Sequence, residues 1–244
     1  MKAGRVGAVA AGGLAAAGIV HAAPALCSVR AVRCRLVPRL AGIGRADHLA
    51  LTFDDGPDPA STPAFLEALD QLGWKATFFL LGSMTRRAPS LAAELVAAGH
   101  EVAVHGDEHH SMLERTPRSA ADDLLRGLST VADAAGVEPA WFRPPYGTLS
   151  TPALLAARRL GLRTVLWTAW GRDWREQATP RSVVEDVTGG LAPGATVLLH
   201  DSDCTSAPGC WHSALGALPR LADAFAERGL TVGPLRDHGI RTAA

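Results

Sequence analysis

From Leu49 onward, short apolar β-rich runs alternate with longer stretches in which apolar positions recur every three or four residues, the pattern of strands and amphipathic helices taken in turn. Runs at 49–53, 76–81, 101–104, 140–142, 163–167, 196–199 and 230–232 read as seven strands. The breaks between them carry helix start and stop chemistry. Thr62 and Pro63 open one helix and Gly73 ends it. Helices are likewise expected from Pro89 to Ala98 before Gly99, from Ser119 to Ala135 before Gly136, and from Thr151-Pro152 to Gly161. Two more are expected at Arg181–Thr188 and at Ser213–Arg228 before Gly229. No Ser-rich or Pro-rich linker interrupts the chain after Ala46, so 47–244 reads as one domain.

Strand–helix alternation at this spacing requires parallel strands covered by helices. Seven strands fit an incomplete barrel or an open doubly wound sheet, and no Gly-rich phosphate loop follows the first strand to favour a nucleotide fold. The placement of reactive residues decides between the two. Asp54 and Asp55 follow the first strand, His105 and His109 the third, and Arg143 the fourth. Asp173 and Trp174 follow the fifth, and His200 and Asp201 the sixth. Barrel active sites gather contributions from several strand ends, whereas an open sheet concentrates its site at one switch point. The expected fold is therefore α/β, an incomplete or distorted (β/α) barrel of about seven parallel strands.

His105 and His109 lie one helical turn apart, close enough to reach one ion, and Asp55 supplies an anionic third ligand. Two imidazoles and one carboxylate leave positions open for water and substrate, which is a catalytic rather than a structural donor set. Asp107 and Glu108 read as the solvated side of that loop, and His48, His100, His110 and His212 as non-catalytic. Adjacent aspartates cannot flank a glycosidic bond across the roughly 5 Å that a retaining glycosidase needs.

These residues carry a resemblance. Thr52-Phe53-Asp54-Asp55-Gly56-Pro57, then His105-x3-His109, Arg143-Pro144-Pro145-Tyr146-Gly147, Asp173-Trp174 and Leu198-Leu199-His200 resemble the five ordered motifs of polysaccharide deacetylases. This is the carbohydrate esterase group that includes chitooligosaccharide, peptidoglycan and acetyl-xylan deacetylases. The resemblance spans about Leu49 to Val232, with one departure: Gly106 stands where the family usually has Ser or Thr. It implies Asp55, His105 and His109 as ligands of one divalent metal, zinc first, with cobalt, manganese and nickel also compatible. It further implies Asp54 as general base kept ionised by Arg143, and His200 as general acid held charged by Asp173. The Tyr146 backbone N–H would face the oxyanion, and Trp174 and Leu198 would wall the acetyl pocket. Trp170, Trp174, Trp211 and Tyr146 are candidates for stacking on sugar rings.

The implied activity is removal of N-acetyl groups from amino sugars of a chitooligosaccharide or peptidoglycan type of glycan. Competing readings are an O-acetyl esterase on a xylan-like polymer and a catalytically inactive glycan-binding barrel. Charge excludes a nucleic-acid partner: seven of the 24 bases precede the first acid, Asp47, leaving 17 bases against 24 acids beyond it. Residues 1–46 read as a signal- or anchor-like apolar segment and a basic linker. Lys2 and Arg5 precede an apolar run from Val6 to Val20, and Ala23-Pro24-Ala25 has the form of a cleavage site. Export to the cell envelope or medium follows, with membrane association through that segment or a cytoplasmic location as alternatives; a monomer is expected. The close pairs Cys27/Cys34 and Cys204/Cys210 permit two small-loop disulfides in an exported chain.

Overall fold

A computed structural model of the chain describes residues 16 and 18–240. The basic start at Lys2 and Arg5 and most of the apolar run that follows lie outside them. Among the described residues no helix is long and apolar enough to cross a membrane.

The strands are β1 (His48–Asp54), β2 (Thr77–Leu80), β3 (Glu101–Val104), β4 (Trp141–Phe142), β5 (Arg163–Thr164), β6 (Ala169–Trp170), β7 (Thr196–His200) and β8 (Thr231–Gly233). All pairings are parallel, in the order β5-β4-β3-β2-β1-β7-β6. Ala50 pairs with Thr196 of β7 and with Gly233 of β8, so β8 lies on the β2 side of β1, below the point where β2 begins.

That order forces the sheet to curl. β5 and β6 sit at opposite edges, yet only residues 165–168 connect them. A flat sheet would separate these edges by about 29 Å, whereas the connection spans about 18 Å at most. The outcome is a distorted (β/α) barrel with a seam between β5 and β6. The sequence pattern predicts one strand over 163–167; the chain instead leaves β5 at Thr164, crosses the seam and begins a further strand, β6, on the far edge.

Alternation along the strands assigns the two faces. Leu49, Leu51 and Phe53 of β1 point outward and pack with Phe78, Val197 and Leu199 against helices, including Phe65 and Leu69 of Thr62–Gln71 and Leu218 and Leu221 of Trp211–Ala226. Ala50, Phe79, Ala103, Trp141 and Val165 fill the interior. Being buried on both faces, the strands read as near-continuous apolar runs. The same parity sends Asp54, His105, Arg143 and His200 inward, on the face of Ala50, Ala103, Trp141 and Leu198 respectively.

Residues 23–46 lie against the barrel and close its seam. Arg33, in the helix Arg30–Leu36, is buried, and its guanidinium donates to the carbonyls of Trp167 at 2.9 Å, Ser28 at 2.6 Å and Cys27 at 3.3 Å. Arg30 donates to the Thr168 carbonyl at 2.6 Å, and Leu166 N–H donates to the Leu40 carbonyl at 2.7 Å. Arg33→Ala would strand buried carbonyls, which costs about 1–3 kcal/mol. Equilibrium urea unfolding should register a loss of that size, and an unchanged unfolding free energy would mean that this segment does not seal the seam in solution.

All four cysteines are free thiols. Cys204 is exposed with its Sγ 3.5 Å from the Asp55 carbonyl, while Cys210 is buried at the start of Trp211–Ala226, so the two side chains serve different surroundings. Burial pushes the Cys210 thiol up to about 12.

Candidate active site

A cavity of about 340 Å³ opens at the C-terminal end of the barrel and is lined by Asp54, Asp55, His105, His109, His200 and a wall of tryptophans. Its floor is set by strand parity. Asp54 ends β1 facing inward, and Arg143, one residue past β4, reaches it from across the barrel. The guanidinium donates to Asp54 Oδ1 at 2.6 Å, to Thr52 Oγ1 at 2.8 Å and to the Leu166 carbonyl at 3.0 Å, and lies 4.0 Å over the Phe79 ring. Arg143 is fully buried, and Asp54 is its countercharge. One carboxylate oxygen of Asp54 is thus held by Arg143. The other, Oδ2, lies 3.8 Å from His105 Nε2.

Parity alone would turn Asp55 outward. Its φ of 80°, in the left-handed region that Asp tolerates better than most residues, returns the carboxylate to the cavity. Oδ1 then lies 3.4 Å from His105 Nε2 and 3.5 Å from His109 Nε2. Oδ2 accepts from Thr205 Oγ1 at 2.6 Å. Burial works against the Asp55 anion, but the neighbouring His105, His200 and His109 hold its carboxyl well below the usual range. His105 Nδ1 donates to the Arg143 carbonyl at 2.8 Å, which leaves the Nε2 lone pair facing Asp55. Burial above all pushes His109 down to about 4, so its imidazole is neutral at pH 7, as a metal ligand must be.

The donor atoms of Asp55, His105 and His109 lie within 4.8 Å of one another, and Asp55 Oδ1 is buried without a hydrogen-bond partner. A buried anionic oxygen facing two imidazole nitrogens is costly unless something cationic sits between them, so these residues fit a divalent metal.

On the opposite side, His200 ends β7. Its Nδ1 pairs with Asp173 Oδ1 at 3.0 Å, while its backbone N–H donates to Asp173 Oδ2 at 2.7 Å. Burial would lower the imidazole pKa, but the Asp173 charge and hydrogen bond, with Asp55 and Asp54 behind them, raise it to about 10. Asp201 turns away from the cavity and accepts from Thr62 Oγ1 at 2.6 Å; burial raises its carboxyl to about 7.

Trp174 and Leu198 line the cavity, as does the stacking candidate Trp170, together with Trp167, which is not among the sequence candidates. The three indoles form a row, Trp167 to Trp170 at 5.8 Å and Trp170 to Trp174 at 4.9 Å. Tyr146 stands exposed at the rim, edge-on to His109 at 4.4 Å. Trp211 is not at the cavity: it packs on Phe65 at 6.5 Å and on His212, because the first turn of its helix faces the outer core. Asp107 is likewise not solvated. It is buried and paired with Arg86 and Arg126. His110 turns to Arg115, and His48 and His100 lie buried away from the site. Thr205 and Ser206 also line the cavity and were missed; the polar cluster 201–206 directly after His200 was the available signal.

A barrel with a His/His/Asp donor set beside a carboxylate and a carboxylate-paired histidine defines a hydrolase of the metal-dependent type. The chain belongs to the polysaccharide deacetylase family, whose model matches residues 42–165. It is 35% identical over 193 residues to a chitooligosaccharide deacetylase of Bradyrhizobium sp. (strain ANU 289), covering 76% of this chain and 87% of that protein. It is 37% identical over 155 residues to a peptidoglycan-N-acetylglucosamine deacetylase of Bacillus cereus, covering 63% of this chain and 72% of the relative. Among solved structures, a family 4 carbohydrate esterase from Streptomyces lividans in complex with acetate superposes with a TM-score of 0.70 at 31% identity, over 79% of this chain and 95% of the other. A family 4 pseudoenzyme from Bacillus anthracis superposes with a TM-score of 0.71 at 26% identity, over 79% and 65% of the two chains.

Proposed function

We propose that this protein removes N-acetyl groups from amino sugars in a glycan of the chitooligosaccharide or peptidoglycan type. The observation that carries the reading is the arrangement within one cavity: the Asp55/His105/His109 donor set shares it with Asp54, held by Arg143, and His200, held by Asp173. Zinc suits two imidazoles and one carboxylate best, while cobalt, manganese and nickel tolerate the same donors. When bound, the ion supplies Lewis-acid polarisation of the acetyl carbonyl and acidifies water.

The protein groups divide the proton work. Asp54 has one oxygen fixed by Arg143, so its Oδ2 is the atom that takes a proton from the attacking water. Arg143 keeps that carboxylate ionised and in register. His200 has Nδ1 committed to Asp173, which leaves Nε2 to hand a proton to the departing nitrogen. An amine leaves poorly without that proton, so an imidazole held charged is what an amide substrate demands. This favours N-deacetylation over O-acetyl ester hydrolysis. Trp174 and Leu198 form the wall against which the acetyl methyl packs, and the Tyr146 backbone N–H supports the oxyanion. The presence of every one of these groups argues against an inactive barrel. All of them come from one chain, which suits a monomer, and the basic start followed by an apolar run suits export to the envelope.

The test is acetate release from chitooligosaccharides, peptidoglycan and acetyl-xylan, with and without a chelator. The expected result is release from an N-acetylated glycan, abolished by the chelator and restored by one divalent ion. Release from acetyl-xylan alone would overturn the amide reading, and full activity of the metal-stripped protein would overturn the metal centre.

A further inference from the structure

We infer that Asp123 is a positioning residue for the metal loop: from the helix Pro117–Ala135, its carboxylate holds the backbone of residues 105–109 in the form that brings His109 to Asp55. The inference rests on the metal centre proposed above.

The two ligand imidazoles are not held alike. His105 is fixed through its ring, because Nδ1 donates to the Arg143 carbonyl. His109 has no such support: its Nδ1 is buried without a hydrogen-bond partner, so its ring has no protein anchor comparable to that of His105. The position of His109 therefore depends on the main chain that carries it.

That main chain is gripped from two sides. The Gly82 N–H donates to the Gly106 carbonyl at 3.0 Å and the Ser83 N–H to the Asp107 carbonyl at 2.9 Å. On the other side the Asp107 N–H donates to Asp123 Oδ2 at 3.2 Å and the Glu108 N–H to Asp123 Oδ1 at 3.4 Å. Consecutive amides converging on one carboxylate form an anion-holding concavity, and buried amides of this kind need a partner. Asp123 is fully buried, and Arg115, 2.8 Å from Oδ1, balances its charge.

The approach is built with two glycines. Gly127, one turn along the same helix, faces the loop so closely that a Cβ there would lie 2.6 Å from the Gly106 carbonyl carbon and oxygen. Gly106 itself has a φ of 101°, and a Cβ on it would lie 3.1 Å from Asp123 Oδ2. The carboxylate of Asp123 thus lies against the space that a side chain at position 106 would enter. In this chain, the support of the loop comes from a helix eighteen residues beyond His105 in sequence rather than from the neighbouring side chain.

Zinc affinity of the metal-stripped full chain, read by competition with a chromophoric chelator well below each variant's melting temperature, tests this. Asp123→Ala is expected to weaken zinc by roughly 10–100-fold, the usual cost of losing a group that orients a ligand. Asp123→Asn should fall between, since one carbonyl oxygen can serve only one of the two amides well. Asp122→Ala, on the same helix but exposed and paired with Arg118, should match the wild type. A group that only stabilised the fold would lower the melting temperature of the metal-free protein without moving the affinity. Wild-type affinity in a folded Asp123→Ala protein would overturn the inference while leaving the metal centre intact. If Asp123→Ala does not fold, wild-type affinity in Asp123→Asn together with an equal affinity in Asp122→Ala does the same. Failure of the wild-type protein itself to take up zinc would overturn the metal centre, and the inference with it.

Discussion

Asp54→Asn is expected to keep its metal and lose at least ~10²-fold in turnover, the scale of a positioned proton-transfer group, whereas Asp55→Asn is expected to lose metal as well. The two side chains are sequence neighbours with the same chemistry, so only geometry separates them. Asp54 continues the inward face of β1 and spends one oxygen on Arg143 at 2.6 Å. Its other oxygen is 3.8 Å from His105 and farther from the imidazoles than Asp55 Oδ1, which lies 3.4 and 3.5 Å from the two rings. Asparagine at 54 would preserve the shape and one acceptor for Arg143 but could not take up a proton. Asparagine at 55 would replace the buried anion that complements a cation with a neutral amide, and the ion would bind more weakly. Metal content by elemental analysis and kcat for acetate release separate the two. Equal metal loss in both variants would show that the neighbours share one role.

The site was legible in the sequence where function depends on residue type at a strand end. Asp54, His105, Arg143 and His200 each stand at or just past the C-terminal end of a strand, and period-two alternation carries them into one interior. Contacts to the main chain left no such trace. Arg33 is held by carbonyls of Trp167, Ser28 and Cys27, and any residue would supply those, so nothing in the sequence distinguishes the arginine that seals the seam from a basic linker. Asp123 is invisible for the same reason, since its partners include two backbone amides. Topology was the other hidden quantity. The run 163–167 reads as one strand, and only the sheet order reveals that the chain crosses from one edge to the other between Thr164 and Ala169. That crossing brings Trp167 and Trp170 to the cavity wall, which is why Trp167 was absent from the candidates. Trp211 failed in the opposite direction: it follows the polar loop after β7, but its helix presents it to the outer core beside Phe65.

His200→Ala is expected to damage hydrolysis of an N-acetylated sugar severely while largely sparing an activated aryl acetate. The reasoning lies in the leaving groups. A phenolate departs with little help, but an amine expelled without a proton would be an unstable anion, so the transition state for the amide requires a proton donor close to the nitrogen. His200 meets that need because Asp173 accepts from both its ring and its backbone N–H, at 3.0 and 2.7 Å, and keeps the imidazole charged. Asp173→Asn should therefore give a weaker version of the same split. It should also shift the pH profile in a defined direction. The Asp173 anion raises the His200 pKa, which burial alone would lower, to about 10. Without that anion the imidazolium gives up its proton at lower pH, and the alkaline limb of amide turnover should move toward neutrality. The ester limb should stay where it is, because ester hydrolysis does not require the proton. The measurement is kcat/KM against pH for both substrates in wild type and both variants. Equal losses on amide and ester would remove His200 from the acid role and assign it to orienting the substrate.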